Sequence, residues 1–307
     1  MKKIQMNSKV LTFVVFAVAS FAWGVLTLAD EVQMPDGSTQ QSDSFQKVES
    51  TPTPPGWEKL YSELAAVAPQ LPPYIIEKRS PVAWENSNHP ERELWSKYAY
   101  TVINQYFSEL DQADDMGHFC KNYKKLDHDQ KVMAWAQIFA GISKWETGWD
   151  PANRTVEGPD TDEVTGQKPV SEGLLQLSYS DMDNYQDLET SESYCPFTWD
   201  KDKELPLSDL HRSILNPFVN LYCGIRIMAD SIVTNVDKNT GKRKVVYNGY
   251  WSTLGAGWHM HNRAAQIQES FPKLPFCGGH AIIQPQDVLF GTINTIQKAI
   301  KRAREHH

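Results

Sequence analysis

Counting back from Glu146 by four, seven, eleven and fourteen residues gives Ile142, Phe139, Trp135 and Val132. That is the spacing of one apolar face of an α-helix. Asp127, with Gln130 three residues later, forms a capping box that predicts where the helix opens. The stripe is therefore predicted to be buried, with a carboxylate at its C-terminal end and Trp145 and Trp149 close in sequence. Apolar surroundings disfavour a charged carboxyl, and the negative end of a helix dipole acts in the same direction. A carboxyl that keeps its proton near neutrality is what general acid catalysis needs. The same position also fits a helix end with Glu146 turned to water, and the stripe alone does not separate the two.

Other elements follow from similar signals. A helix is predicted from Glu91 to Leu110, opening after Pro90. Asn216 followed by Pro217 reads as a side-chain cap and a first-turn proline. The helix they open runs through Phe218, Leu221, Ile225 and Met228 to about Val233. Gln284 to Arg304 reads as a C-terminal helix with basic residues in its last turns. Between the second and third helices, the Gly/Pro/Thr-rich stretch from Arg154 to Ser178 carries short β-branched runs and predicts a small hairpin. Helices with one small sheet make an α+β domain, expected over residues 57–307. Residues 30–56 are Ser, Thr, Gln, Asp and Pro with few large apolar side chains, and read as a disordered leader.

Lys2, Lys3 and Lys9 precede an uncharged apolar run from Val10 to Leu28, and small residues stand at Thr27 and Ala29. This predicts a signal peptide over residues 1–29, with a retained membrane anchor as the alternative. Neither leaves the protein in the cytoplasm; a secreted or periplasmic monomer with no membrane span is expected. Cys120, Cys195, Cys223 and Cys277 then point to two disulfides, whose pairing three arrangements leave open. Cleavage would remove three lysines and no acid, taking the formal charge from −8 to −11. Such a surface excludes nucleic acid as a natural partner.

Three short blocks carry a resemblance. Glu146-Thr147-Gly148-Trp149-Asp150-Pro151 resembles the signature that ends the catalytic helix of lytic transglycosylases. Gly173-Leu174-Leu175-Gln176-Leu177 resembles the G-L-L-Q strand of the same lysozyme superfamily, shared by goose-type and hen-type lysozymes. Asn216-Pro217-Phe218-Val219-Asn220-Leu221-Tyr222-Cys223-Gly224 resembles its third block, which sets an Asn and a Gly on a helix behind the cleft. The resemblance runs from about Asp127 to Ser270, and within the superfamily it extends to exported lysozymes of predatory bacteria that act on deacetylated peptidoglycan. It implies a lysozyme-like fold, Glu146 as catalytic acid, peptidoglycan or a related aminosugar glycan as partner, and no cofactor.

Three positions depart from the pattern. In the fourth block, usually A-Y-N-x-G, Trp251 stands at the tyrosine and Ser252 at the asparagine. At the hen-type nucleophile position stands Ser171, and the adjacent Glu172 is expected to face the other side of its strand. A hydrolase would need a second carboxylate from Glu157, Asp160, Asp162 or Glu163. Glu157 is preferred, because it ends the run Arg154-Thr155-Val156-Glu157 on the first hairpin strand. One carboxyl protonates the leaving oxygen while the other stabilises or attacks the oxocarbenium-like centre, or activates water. These roles are those of the type case, hen lysozyme, a member of the same superfamily. A lytic transglycosylase manages with one Glu, since the sugar's own hydroxyl attacks.

Gln176 is expected beside the glycan by resemblance, with a buried structural amide as the alternative. Tyr179, Tyr222 and Trp251, with Tyr250, are candidate stacking faces for sugars and equally good core residues. His259 and His261 form an HxH pair without a nearby third ligand, so no metal is expected. The leading function is a muramidase cleaving β-1,4 bonds of peptidoglycan, with a preference for deacetylated wall. Lytic transglycosylation, chitosanase-like activity and an inactive wall-binding module are the rivals.

Overall fold

The computed structural model of the chain describes residues 53, 55–187, 190–238, 240–246, 250–255 and 263–278. The signal peptide, most of the leader, the HxH pair and the C-terminal helix fall outside them. Four helices of eleven residues or more stand out among the described residues: α1, Trp57–Val67; α2, Arg92–Gln105; α3, His128–Thr147; and α4, Pro217–Thr234. Helix α2 packs against both α3 and α4, and α1 lies on α4. With one two-stranded sheet, this is an α+β, lysozyme-like arrangement.

Helix α3 opens on the predicted box. Asp127 Oδ1 accepts from the Gln130 N–H at 2.9 Å, and Gln130 Oε1 accepts from the Asp127 N–H at 3.2 Å. Every residue from Val132 to Ser143 is buried, so the helix is enclosed on all sides rather than on one stripe. The small side chains Ala134, Ala136 and Ala140 let neighbours close in, and a Cβ on Gly141 would meet Ile267 Cγ2 at 2.5 Å. Helix α4 begins as the sequence predicts: Asn216 Oδ1 accepts from the N–H groups of Phe218 and Val219, and Pro217 fills the first turn.

The helix predicted to run from Glu91 to Leu110 is interrupted. It ends at Gln105, and Phe107–Leu110 forms a separate turn. The break falls at Tyr106 (φ −109°, ψ 26°), whose hydroxyl lies 3.2 Å from that of Tyr222 and whose ring lies 5.1 Å from the Arg226 guanidinium. These contacts fix the ring from outside the helix, and neither proline nor glycine marks the break.

Strands β1, Arg154–Val156, and β2, Val170–Glu172, pair antiparallel, with Arg154 opposite Glu172 and Val156 opposite Val170. The disulfides are Cys120–Cys277 and Cys195–Cys223. The first joins the segment before α3 to the last described residues, and the second pins the segment after the hairpin to α4. Two such bridges fit an oxidising compartment. No helix among the described residues is long and apolar enough to cross a membrane.

Candidate functional site

Glu146 lies in the last turn of α3, half-buried. Gly148 ends the helix in the left-handed conformation (φ 64°) and donates its N–H to Lys144 O at 3.0 Å. Trp149 follows at φ 69°, which costs an aromatic residue backbone strain that surrounding contacts must offset. Among the contacts that hold it, the indole Nε1 donates to Ala140 O at 2.8 Å and the Arg92 guanidinium lies 5.6 Å from the ring centre. Two left-handed residues in succession turn the chain sharply away from α3 towards β1.

The acid meets a partner from far along the chain. Thr253, buried in the short turn Ser252–Leu254, donates from Oγ1 to Glu146 Oε1 at 2.8 Å. The backbone of Thr253 also hydrogen-bonds the same carboxyl. The turn is fixed on both sides. Trp251 Nε1 donates to Leu175 O at 2.8 Å, and Arg263 N–H donates to Thr253 O at 2.7 Å. Burial raises the pKa of Glu146 above its ordinary value; the Thr253 hydrogen bond opposes the rise, and the charge of Glu157 adds to it.

Glu157 sits one residue beyond β1, tied by its own N–H to Pro169 O at 3.0 Å. Its side chain is exposed, with no hydrogen-bond partner among the described residues. Asp160 and Glu163 are exposed as well. The other two acids of this region have structural positions. Asp162 is buried and accepts from the N–H groups of Val164 and Thr165, closing the hairpin loop. Glu172, 1% exposed, lies between Arg154 Nε at 2.5 Å and Arg212 Nη1 at 2.8 Å. As its strand position predicts, it faces away from Ser171. Of the four candidates for the second carboxylate, Asp162 is thereby tied into the loop, and Glu157, Asp160 and Glu163 are the exposed ones.

Behind the hairpin, Asn220 organises the Gly173–Gln176 turn. Fully buried, it accepts from Leu175 N–H at 2.8 Å and donates to Glu172 O at 3.1 Å and Ile214 O at 2.9 Å. Gly173 takes φ 76° directly beside it, and a Cβ there would come within 2.6 Å of Ile214 O. Gln176 also lies in this turn. Its amide donates to Gly173 O at 3.1 Å and Asn153 O at 3.4 Å, which matches the buried structural reading of that residue.

Two of the candidate stacking residues are enclosed in the core. Tyr179 and Trp251 are each 2% exposed and present no open ring face. Tyr179 donates to Asp202 Oδ2 at 2.8 Å and packs edge-on against Phe197 and Trp199. Tyr222 is half-buried against Tyr106, beneath the Arg226 guanidinium. Tyr250 donates to Asp181 Oδ2 at 2.5 Å, and burial pushes the Asp181 carboxyl up to about 6. Among the described residues no three His, Cys, Asp or Glu side chains gather as a metal site would need. A depression lined by Ile75, Glu77, Lys78, Asp129 and Met133 lies at the other end of α3 and includes neither Glu146 nor Glu157.

Thr253 was not singled out by sequence. It occupies the position that the fourth block leaves unspecified, so the motif carries no signal for it. The buried pairing of Glu172 with Arg212 was likewise unsignalled, since the two stand 40 residues apart.

No protein-family model matches the chain, and no curated protein does. Among solved structures it is similar to Bd0314 DslA, a Bdellovibrio protein. The wild-type form 2 is 25% identical with a TM-score of 0.49; a glutamate-to-glutamine mutant is 22% identical with a TM-score of 0.50. Each comparison covers 66% of this chain and 100% of that one. The second shows a shared fold.

Proposed function

We propose that the chain is an exported glycosidase that hydrolyses β-1,4 bonds in peptidoglycan, with Glu146 as general acid and Glu157 as the second carboxyl. The observation that carries this reading is the setting of Glu146. It is a half-buried carboxyl at a helix end with a raised pKa, oriented by Thr253 and within electrostatic reach of a second carboxylate. An acid so placed delivers its proton to the leaving oxygen, and a carboxylate opposite stabilises the developing positive charge at the sugar carbon or activates water.

The substrate preference follows from charge. Deacetylated glucosamine units carry ammonium groups, and the exposed Glu157, Asp160 and Glu163 lie on the hairpin that starts just beyond Glu146. A close surface pair contributes about 1–4 kcal/mol depending on effective dielectric, and salt screens it. Deacetylated wall is therefore the expected better substrate, by a margin that shrinks as ionic strength rises. Equal rates on matched acetylated and chemically deacetylated walls at low salt would remove this preference.

A lytic transglycosylase is the second reading, favoured by the exposure of Glu157 and the lack, among the described residues, of a group fixing its carboxylate. Mass spectrometry of digestion products separates the two. The hydrolase gives reducing ends, and Glu157→Gln loses most activity; the transglycosylase gives anhydro-sugars, and that variant stays largely active. In either case Glu146→Gln should lower turnover at least 10²-fold with folding retained, because the amide cannot donate the proton. Near-normal turnover in that variant would sink both and favour an inactive glycan-binding module.

A further inference from the structure

Two cations flank the end of α3 that carries Glu146. Lys144 Nζ lies 5.6 Å from the centre of the Trp145 ring, and Arg263 Cζ lies 4.8 Å from it. Lys144 is exposed, while Trp145 and Arg263 are half-buried. Neither cation forms a salt bridge with a carboxylate among the described residues. This is unlike Arg79, Arg154 and Arg212, each of which is paired with a glutamate. The arrangement is joined to the acid through the backbone: Arg263 N–H reaches Thr253 O, and Thr253 Oγ1 reaches Glu146 Oε1. In a chain of formal charge −8, a ring that braces two cations at the end of the helix carrying the proposed acid is a local reversal of sign.

A bare polymer of deacetylated glucosamine carries positive charge alone, and these two side chains would repel it. Peptidoglycan strands also carry peptide stems that end in carboxylates. We propose that Lys144 and Arg263, braced on Trp145, form a subsite for the carboxylates of the peptide stem. The substrate is then a glycan of both signs, with its ammonium groups towards Glu157, Asp160 and Glu163 and its carboxylates towards the two cations. The guanidinium fork suits a carboxylate, and cation–π contact with Trp145 limits the freedom both side chains lose on binding. The inference rests on the glycosidase reading and narrows it, since it separates a peptidoglycan enzyme from a chitosanase.

The test compares deacetylated peptidoglycan strands with the same strands stripped of peptides by an amidase and with the lactyl carboxylate so exposed blocked as its amide, at low salt. The wild type should show a kcat/KM about three- to tenfold higher on the peptide-bearing strands, mainly through KM, as one exposed and one half-buried charge contact would give. In the double variant Lys144→Gln, Arg263→Gln the ratio should fall towards one. The charge-keeping variant Lys144→Arg, Arg263→Lys should retain it. A ratio near one in the wild type, or an unchanged ratio in the Gln variant, overturns the subsite while leaving the glycosidase reading intact. No cleavage of either substrate by the wild type overturns the glycosidase reading instead. Independently of any variant's folding, a soluble acidic tripeptide should inhibit wild-type cleavage of peptide-bearing strands competitively. The same peptide with its carboxyls amidated should not, and equal inhibition by the two counts against the subsite.

Discussion

Three glutamates within 27 positions of one another show how surroundings assign a role to one side-chain type. Glu146 has a folded-state pKa raised above its ordinary value of 4.5. The folded state thus binds its proton more tightly than the unfolded chain, so this group's contribution to stability is lost as pH climbs above the unfolded value. Glu146→Gln should therefore melt higher than the wild type at pH 7, with the difference closing below about pH 4; equal melting temperatures at both pH values would refute it. Thr253 sets the acid within this setting. Its hydrogen bond favours the ionised form, so Thr253→Val should raise the Glu146 pKa further and move the alkaline limb of the kcat/KM profile to higher pH. A limb that stays put or moves down would show that Thr253 leaves the proton unaffected. Glu172 differs from both. Its loss would strand the buried Arg212, so Glu172→Gln should cost about 3–5 kcal/mol in denaturant unfolding. Glu157→Gln, at an exposed site, should change stability by less than about 0.5 kcal/mol.

The elements that were legible in the sequence are those held by neighbours in sequence. The Asp127 box, the Asn216 cap and the hairpin between Arg154 and Ser178 are all local, and each was found where predicted. The enclosure of α3 on all sides was not legible. It depends on Ile267 and on helices whose approach no periodicity within α3 encodes. Residue type did not give Trp251 and Tyr179 their faces either: an aromatic ring suits a sugar platform and a core equally, and here a carbonyl from Leu175 and a carboxylate from Asp202 hold them inside. Asn220 marks the boundary between the two kinds of knowledge. The resemblance placed it on a helix behind the site, but its three hydrogen bonds to two other segments exist only in the fold. Asn220→Ala leaves those backbone groups buried and unpaired, and should cost roughly 2–4 kcal/mol. Activity should fall with stability, because the Gly173–Gln176 turn also carries the carbonyl that anchors Trp251. A loss under 1 kcal/mol in urea unfolding would show that the turn holds itself.

Over the whole molecule, long-range covalent links matter because the site is assembled from distant segments. Thr253 is 107 residues from Glu146, and Cys120 is 157 residues from Cys277. Closing so long a loop restricts the unfolded chain strongly, and replacing both cysteines by serine should cost about 2–5 kcal/mol, read as a lower melting temperature under non-reducing conditions. A melting temperature within 1 °C of the wild type would mean that packing alone closes the fold. The same bridge has a topological consequence. Glu146, Glu157, Asn220, Thr253 and Arg263 all lie between Cys120 and Cys277, inside one covalent ring, with the Cys195–Cys223 loop nested within it. A protease that cuts any single peptide bond of that ring opens it without releasing either piece. A nicked molecule would keep every site residue on one covalently connected body and migrate as two fragments only after reduction. For a protein whose disulfides fit an oxidising compartment, the ring makes a first cut survivable.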